Sequence, residues 1–269
     1  MLIAALSTAE ILGMAGFSSF AALLPLFTRE WGLSGAEAGW ISGAYYGGYT
    51  AAVPVLVTLT DRIDARRIYL LATALAGAAI LAFAIFADGF WSALLLRAVA
   101  GIGLAGTYMP GLKALTDRIG GTAQARAVGF YTASFGIGGS VSYVLAGFGE
   151  AMFGWRAAFA IAALGSVLAY GIATKVLGPL PVTQVACQRI SEPAPLGAVL
   201  RNGMVIACII GYTALNFQLF GFRSWIVAFL SFSTTLQASG ALHLDPPFTA
   251  AAVTIVSVPA SIHRQRDRA

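Results

Sequence analysis

The sequence predicts an all-α integral membrane protein, and its composition is the first reason. Of its 269 residues, 58% are hydrophobic and only 10% are charged, and the mean hydropathy is +0.81. A soluble domain carries about 25% charged residues, because its surface must face water. The 31 glycines agree with a membrane location, since small residues let membrane helices approach one another closely. These proportions exclude a soluble enzyme.

Apolar segments long enough to cross a bilayer are the second reason. A helix needs about 20 mostly apolar residues to span the hydrocarbon core. Seven segments meet this requirement: Leu2–Phe27, Gly35–Leu59, Ile68–Ala87, Phe90–Gly111, Ala127–Met152, Arg156–Leu177 and Asn202–Ser231. An eighth, Phe248–Ile262, is short for a span at about 15 residues. Ser34 and Glu37 form a capping-box pattern that predicts the start of the second helix.

The distribution of basic residues is the third reason, and it also predicts orientation. Most of the 16 lysines and arginines fall on one predicted side of the membrane: Arg62, Arg66, Arg67, Lys113, Arg118, Arg126, Lys175, Arg189, Arg201, Arg264, Arg266 and Arg268. Lysine and arginine concentrate in the cytoplasmic loops of membrane proteins. We therefore expect a cytoplasmic N-terminus. The net charge of +5 then reports orientation, and no nucleic-acid partner is expected.

The longest polar interruption follows the sixth segment and contains four prolines between Gly178 and Ala198. Prolines at this density are typical of a linker. Residues 1–178 are therefore predicted to form a six-helix bundle, and residues 179–201 a cytoplasmic linker. Residues 202–269 would begin a second bundle with a seventh helix and part of an eighth.

A short acidic and basic loop joins the second and third segments. It reads Val57-Thr-Leu-Thr-Asp61-Arg62-Ile-Asp64-Ala-Arg66-Arg67, and its charges can cap the second helix and hold it against a neighbour. The loop resembles the signature G-x-L-A-D-R-x-G-R-R of the major facilitator superfamily. Asp61, Arg62 and Arg66 match and are the predicted gating-loop residues, whereas Asp64 stands where the family has glycine. The alternative is an ordinary positively charged turn.

Two glycine-rich helices extend the resemblance. The fourth segment, Arg97-Ala-Val-Ala-Gly101-Ile-Gly103-Leu-Ala-Gly106, is similar to the family pattern R-x-x-x-G-x-G in the same helix. The fifth segment resembles the family's glycine motif of helix five but lacks the Gly-Pro pair of many drug/proton antiporters. Close helix packing is expected at Gly101, Gly103, Gly106, Gly136, Gly138 and Gly139. Arg97 is costly in apolar surroundings, so we expect it to be functional, the alternative being a structural ion pair.

The resemblance covers residues 5–262 and implies two six-helix bundles around a central cavity, lined mainly by the first, fourth and seventh helices. It implies a secondary active transporter that moves a small solute by alternating access, with proton coupling as one option. No cofactor or metal is expected. The polar residues of those helices are the predicted substrate and proton pathway: Glu10, Arg97, Tyr108, Asn216 and Gln218.

Several of these residues have a second interpretation. Glu10 either pairs with Arg97, takes up a proton at mid-depth, or reaches the cytoplasmic interface. Asn216 and Gln218 cannot face the same way, because two helical residues subtend about 200°. Arg223 fits an interfacial anchor near the outer end of the seventh helix.

Three tyrosines of the second segment, Tyr45, Tyr46 and Tyr49, span more than one helix face. This arrangement favours packing over binding.

The chain closes on a basic tail, His263-Arg-Gln-Arg-Asp-Arg-Ala269, that resembles no membrane segment. Complete family members have twelve helices, so we expect a truncated transporter, either inactive or rebuilt as a homodimer. The alternatives are a seven-helix receptor or sensor and a membrane remnant that does not transport. A membrane-embedded enzyme is disfavoured, because both histidines lie outside the well-formed segments. The expected location is a bacterial inner membrane, with lipid and an unidentified solute as partners.

Overall fold

The computed structural model describes residues 1–121, 123–179, 201–236 and residue 249, and these residues form helices and no strand. The helices are α1 Leu2–Gly13, α2 Ser19–Ala22, α3 Leu24–Glu30, α4 Gly35–Leu59, α5 Ala65–Phe86, α6 Phe90–Thr116, α7 Ala123–Phe153, α8 Trp155–Val176 and α9 Gly203–Leu236, with a 3-10 turn at Met14–Gly16. The predicted all-α fold is confirmed. Most of the predicted linker, and almost all of the predicted eighth segment, lie outside the described residues.

The first predicted segment is not one continuous helix, which corrects the expectation for Leu2–Phe27. The chain leaves helical geometry at Ser18 (φ −95°, ψ 0°) and at Leu23 (φ −104°, ψ 12°). Ser142 of α7 satisfies the backbone groups that this break exposes. Its hydroxyl oxygen accepts from the Ser18 amide at 2.9 Å and donates to the Ala15 carbonyl at 2.6 Å. A side chain inserted into the helical ladder is an established cause of such a break.

Local chemistry fixes where several helices begin. At the start of α4, the Ser34 amide donates to Glu37 Oε2 at 2.8 Å, and the Glu37 amide donates to Ser34 Oγ at 3.3 Å. This reciprocal pair is the predicted capping box. The Asp64 carboxylate caps α5 by accepting from the Arg66 amide at 2.9 Å. Gly154 precedes α8 with φ +81°, a conformation that glycine adopts without strain.

Glycines set the distance between α4 and α6. A Cβ added at Gly101 of α6 would overlap the carbonyl oxygen of Tyr45 on α4. A Cβ added at Gly48 of α4 would in turn overlap the carbonyl oxygen of Ala98 on α6. Both contacts involve backbone atoms, so the two helices pack with their main chains nearly touching. Small residues permit this approach in membrane helices.

Further glycines face neighbouring helices. A Cβ at Gly103 would meet Ala76 of α5 at 2.7 Å, and a Cβ at Gly138 would meet the Met14 side chain at 2.7 Å. A Cβ at Gly106 would overlap Ala72 of α5. Gly136 is half-buried, and its carbonyl accepts from Ser140 Oγ at 3.1 Å. α6 packs on α4 and α5, while α8 packs on α5, α1 and α7.

The two ends of the bundle differ in composition. One end, called here the arginine end, carries the α4–α5 loop with Arg62 and the α6–α7 connection with Arg118. All five tryptophans lie at the opposite end, called here the tryptophan end: Trp31, Trp40, Trp91, Trp155 and Trp225. Three of them are exposed, by 68% at Trp40, 73% at Trp91 and 41% at Trp225. Tryptophan is enriched where membrane helices meet the interface.

Four helices of the described residues are long and apolar enough to cross a membrane by length and composition alone: Ala65–Phe86, Phe90–Thr116, Trp155–Val176 and Gly203–Ser233. α4 has 25 residues and α7 has 31, so both have sufficient length. Their many glycines and polar residues make them less apolar than those four. Leu2–Gly16 is a shorter apolar helix because of the break that follows it.

Candidate functional site

Three charged side chains are buried among the residues that the structure describes. Glu10 of α1 is 2% exposed, Arg97 of α6 is 5% exposed and Arg223 of α9 is 7% exposed. Charges inside a membrane protein are costly and usually mark a pathway for an ion or a substrate. These three residues therefore define the candidate site.

Glu10 is held by a tyrosine of α7. The Tyr131 hydroxyl donates to Glu10 Oε2 at 2.8 Å and lies 3.1 Å from the Thr107 carbonyl oxygen. The second carboxylate oxygen of Glu10 has no hydrogen-bond partner in the described structure. Glu10 is therefore neither paired with Arg97 nor exposed, which removes two of the three interpretations drawn from the sequence. Tyr131 was not anticipated, because its only sequence signal is a tyrosine in an apolar helix.

Arg97 lies against aromatic rings. Its guanidinium carbon is 4.0 Å from the ring centroid of Tyr45 and 5.7 Å from that of Phe20. A cation over a ring face is attracted by the ring quadrupole. Gly101, one turn further along α6, contacts the Tyr45 carbonyl, so the missing side chain there brings the Tyr45 ring under Arg97. Tyr45 thus contacts a charged residue of the candidate site, although the sequence favoured a packing role.

A chain of ring contacts, called here the aromatic path, connects the two charges. Its members in order are Tyr131, Tyr108, Phe135, Phe17 and Tyr45. The successive centroid distances are 6.1, 4.8, 5.6 and 5.7 Å. The path begins at the hydroxyl that bonds Glu10 and ends at the ring beneath Arg97. Tyr108, a predicted pathway residue, is the second member of this path.

The predicted polar residues of the seventh helix are not buried. Asn216 is half-buried and donates to the Tyr212 carbonyl of its own helix at 2.7 Å, while Gln218 is exposed. The structure does not bring either amide into the buried cluster of charges that it describes.

Arg223 differs from the interfacial anchor expected from the sequence. Its guanidinium lies against α7, where Nη1 would be 3.8 Å from a Cβ added at Gly139. The Arg223 carbonyl accepts a hydrogen bond from the Tyr143 hydroxyl. The burial arises because this part of α9 packs on α2 and α3. Arg223 therefore belongs to the interior of the bundle.

The loop between α4 and α5 engages a different acid from the one predicted. Asp61 and Arg62 are exposed, and Arg66 is half-buried. Asp64 lies 3.5 Å from Nη2 of Arg118, whose guanidinium also donates to the Gly178 carbonyl, 3.2 Å from Nε. We call this arrangement the Arg118 clamp. An aspartate directly before a helix is an N-cap signal, and it could have identified Asp64.

An all-helical fold with apolar helices long enough to cross a membrane, and with charged side chains buried among them, indicates an integral membrane protein. The sequence profile of the Major Facilitator Superfamily matches residues 6–263. The chain therefore belongs to this family.

One curated relative and one solved structure are similar to this chain. The niacin transporter NiaP of Acinetobacter baylyi is 26% identical over 162 residues, which cover 59% of this chain and 36% of the relative. A crystal structure of tetrameric PepTSo2 aligns with a TM-score of 0.56 and 16% identity, over 87% of this chain and 50% of that chain. This second similarity concerns the fold alone. The matched region thus spans half or less of the length of each of these proteins.

Proposed function

We propose that the protein is a secondary active transporter that moves a small solute across a membrane by alternating access, and that it is not an enzyme. The burial of Glu10 and Arg97 in α1 and α6 carries this proposal. Ionisable groups inside membrane bundles are retained where they serve a substrate or proton pathway. The matched region spans about a third of NiaP and half of PepTSo2, so transport by this chain is a proposal, which the uptake assay below tests directly.

Proton coupling is assigned to Glu10. Its carboxylate accepts one hydrogen bond, from Tyr131, and is otherwise enclosed by apolar helices. Burial of an ionised carboxylate costs free energy unless its charge is compensated. This desolvation cost is largest when the site is closed to water, and protonation of Glu10 removes it. A protonated Glu10 would favour the closed state, and release of the proton would favour an open one.

Uptake into liposomes tests this function. Niacin is the first solute to test, because the Acinetobacter relative is a niacin transporter. We expect the reconstituted chain to take up labelled niacin faster when an inward proton gradient is imposed. Glu10→Gln should lose the stimulation by the gradient. Glu30→Gln is the matched control. Glu30 lies at the tryptophan end, away from Glu10, where its carboxylate accepts a hydrogen bond from the Trp155 indole at 3.2 Å.

Two outcomes would contradict the proposal. Uptake equal to that of protein-free liposomes, for niacin and for a panel of sugars, amino acids and carboxylates, would overturn the transport function. Full gradient stimulation in Glu10→Gln would overturn the coupling role.

We also propose a bacterial inner membrane with the N-terminus in the cytoplasm. The separation between the arginine end and the tryptophan end supports this orientation. Truncation and a homodimer stay predictions. The mass of the purified chain in a mild detergent tests the homodimer, and a monomer at all concentrations would contradict it.

A further inference from the structure

The buried charges of the described bundle do not balance. Glu10 supplies one negative charge, while Arg97 and Arg223 supply two positive charges. Arginine cannot shed its proton under ordinary conditions, so both guanidinium groups stay cationic. A buried cation without a compensating anion is strongly unfavourable. The interior described by the structure therefore lacks at least one negative charge, and two when Glu10 is protonated.

Neither arginine has a carboxylate partner among the described residues. The carboxylate of Glu10 bonds Tyr131, and the guanidinium of Arg97 rests on a ring face. The Nε atoms of Arg97 and Arg223 are buried and have no hydrogen-bond partner in the described structure. Each guanidinium thus keeps a hydrogen-bond donor that no described residue uses. Arginine is well suited to this role, because its planar fork matches the geometry of a carboxylate.

The two arginines border the same cluster of rings. Arg97 lies over Tyr45, and the Tyr45 ring is 5.7 Å from that of Phe17. A Cβ at Gly139 would lie 3.6 Å from Phe17 and 3.8 Å from Arg223 Nη1, so Phe17 adjoins both sides. An anion beside this cluster would therefore be attracted by both guanidinium groups.

Half-buried rings from four helices provide an apolar surface beside these charges. We call this surface the aromatic face, and its members are Tyr46, Tyr49, Tyr108, Phe135 and Phe220. Tyr46 lies 4.9 Å from Phe220, and Tyr108 lies 4.8 Å from Phe135, measured between centroids. Aromatic pairs gain stability from stacked and edge-to-face contacts beyond the burial of area. A planar ring is the ligand shape that this surface suits.

We propose that Arg97 and Arg223 together bind the carboxylate of a small aromatic monocarboxylate, whose ring packs on the aromatic face. The bound anion supplies negative charge that the described residues of the interior lack. This inference rests on the proposed transport function, since it names the substrate class of the same site. It assigns a binding role to Arg223, a residue of α9.

Binding of benzoate and of its neutral isostere benzamide tests the inference. The full chain is purified in lipid nanodiscs, and affinity is measured by calorimetry at neutral pH. We expect benzoate to bind at least about tenfold more tightly than benzamide, a difference of ~1.4 kcal/mol. Arg97→Gln and Arg223→Gln should each weaken benzoate binding about tenfold or more. Equal affinity for the two probes would overturn the inference.

A matched control and a milder variant keep the test decisive. Arg156→Gln removes a cation that lies 4.5 Å from the Trp155 ring at the tryptophan end, and it should leave benzoate affinity unchanged. Arg97→Lys keeps the charge without the planar fork, so it should bind benzoate with intermediate affinity even if Arg97→Gln fails to fold. Unchanged benzoate affinity in Arg97→Lys or Arg223→Gln would refute the shared site.

The binding assay and the uptake assay can fail separately. Arginine-dependent benzoate binding without solute uptake in liposomes would refute transport and leave the anion site. Proton-driven niacin uptake, combined with equal binding of benzoate and benzamide, would refute the anion site and leave transport.

Discussion

Replacing Gly101 by alanine is the most direct test of how the site is built. The added Cβ would overlap the Tyr45 carbonyl oxygen and would lie 2.9 Å from the carbonyl carbon and 3.1 Å from the Tyr49 amide nitrogen. These are backbone atoms of α4, so no side-chain rotation relieves the contact. We expect α4 to shift away from α6, carrying the Tyr45 ring away from Arg97.

The magnitude follows from two opposing contributions. Overpacking of a close contact costs about 1–3 kcal/mol. Alanine is favoured over glycine within a helix by about 1 kcal/mol, which offsets part of that cost. We therefore expect Gly101→Ala to lower the free energy of unfolding by up to about 2 kcal/mol. For a chain of 269 residues, at about 2–4 °C per kcal/mol, this is a fall in Tm of up to about 8 °C.

The assay is thermal unfolding of the purified chain in a mild detergent, with Gly47→Ala as the matched control. Gly47 belongs to α4, and an added Cβ there meets no atom within 4 Å. The control should keep or slightly raise the Tm, because only the helix propensity changes. Gly48→Ala should lower the Tm, since its Cβ would overlap the Ala98 carbonyl.

The reasoning would be refuted by a Tm for Gly101→Ala equal to that of Gly47→Ala. Benzoate binding gives a second readout, because a displaced Tyr45 no longer lies beneath Arg97. A lower Tm with unchanged benzoate affinity would separate the packing role of Gly101 from any role in the site.

Three further predictions concern polar contacts. Arg118→Gln should lower the free energy of unfolding by about 1.5–3 kcal/mol, because it removes charge-assisted hydrogen bonds to the Asp64 carboxylate and the Gly178 carbonyl. The control is Arg67→Gln at an exposed position, and equal Tm values for the two variants would contradict the Arg118 clamp. Tyr131→Phe should cost about 1–3 kcal/mol, since it leaves the buried carboxylate without its donor. Tyr170→Phe, at an exposed position, should be neutral, and a neutral Tyr131→Phe would argue against the bond. Ser34→Ala should cost about 1 kcal/mol through loss of the capping box, and chemical denaturation of both forms would show no difference if the cap were unimportant.

Several helix boundaries could be predicted from the sequence because their causes are local. α4 runs from Gly35 to Leu59, as the capping pattern and the apolar run indicate. The break after α1 could not be predicted, since it depends on Ser142, which lies 124 residues from Ser18 along the chain. Hydropathy reports how apolar a segment is and does not report a side chain inserted from another helix.

The same limit applies to the candidate site. Glu10 and Arg97 could be singled out because a charge in an apolar segment is unusual wherever the helices lie. Their partners, Tyr131 and Tyr45, depend on helix packing, which one sequence does not reveal. Arg223 was predicted to lie at the interface because an arginine near the end of a span is commonly interfacial. Its burial follows from the docking of α9 on α2 and α3.

The clustering of all five tryptophans at one end gives the protein a built-in optical marker of sidedness. Intrinsic fluorescence excited at the indole band therefore comes from one end of the bundle, where Trp40 and Trp91, at the starts of α4 and α6, are the most exposed tryptophans. Iodide added outside sealed liposomes would quench the fluorescence only of those molecules whose tryptophan end faces outward. The quenched fraction thus measures the proportion of molecules in each orientation without any label.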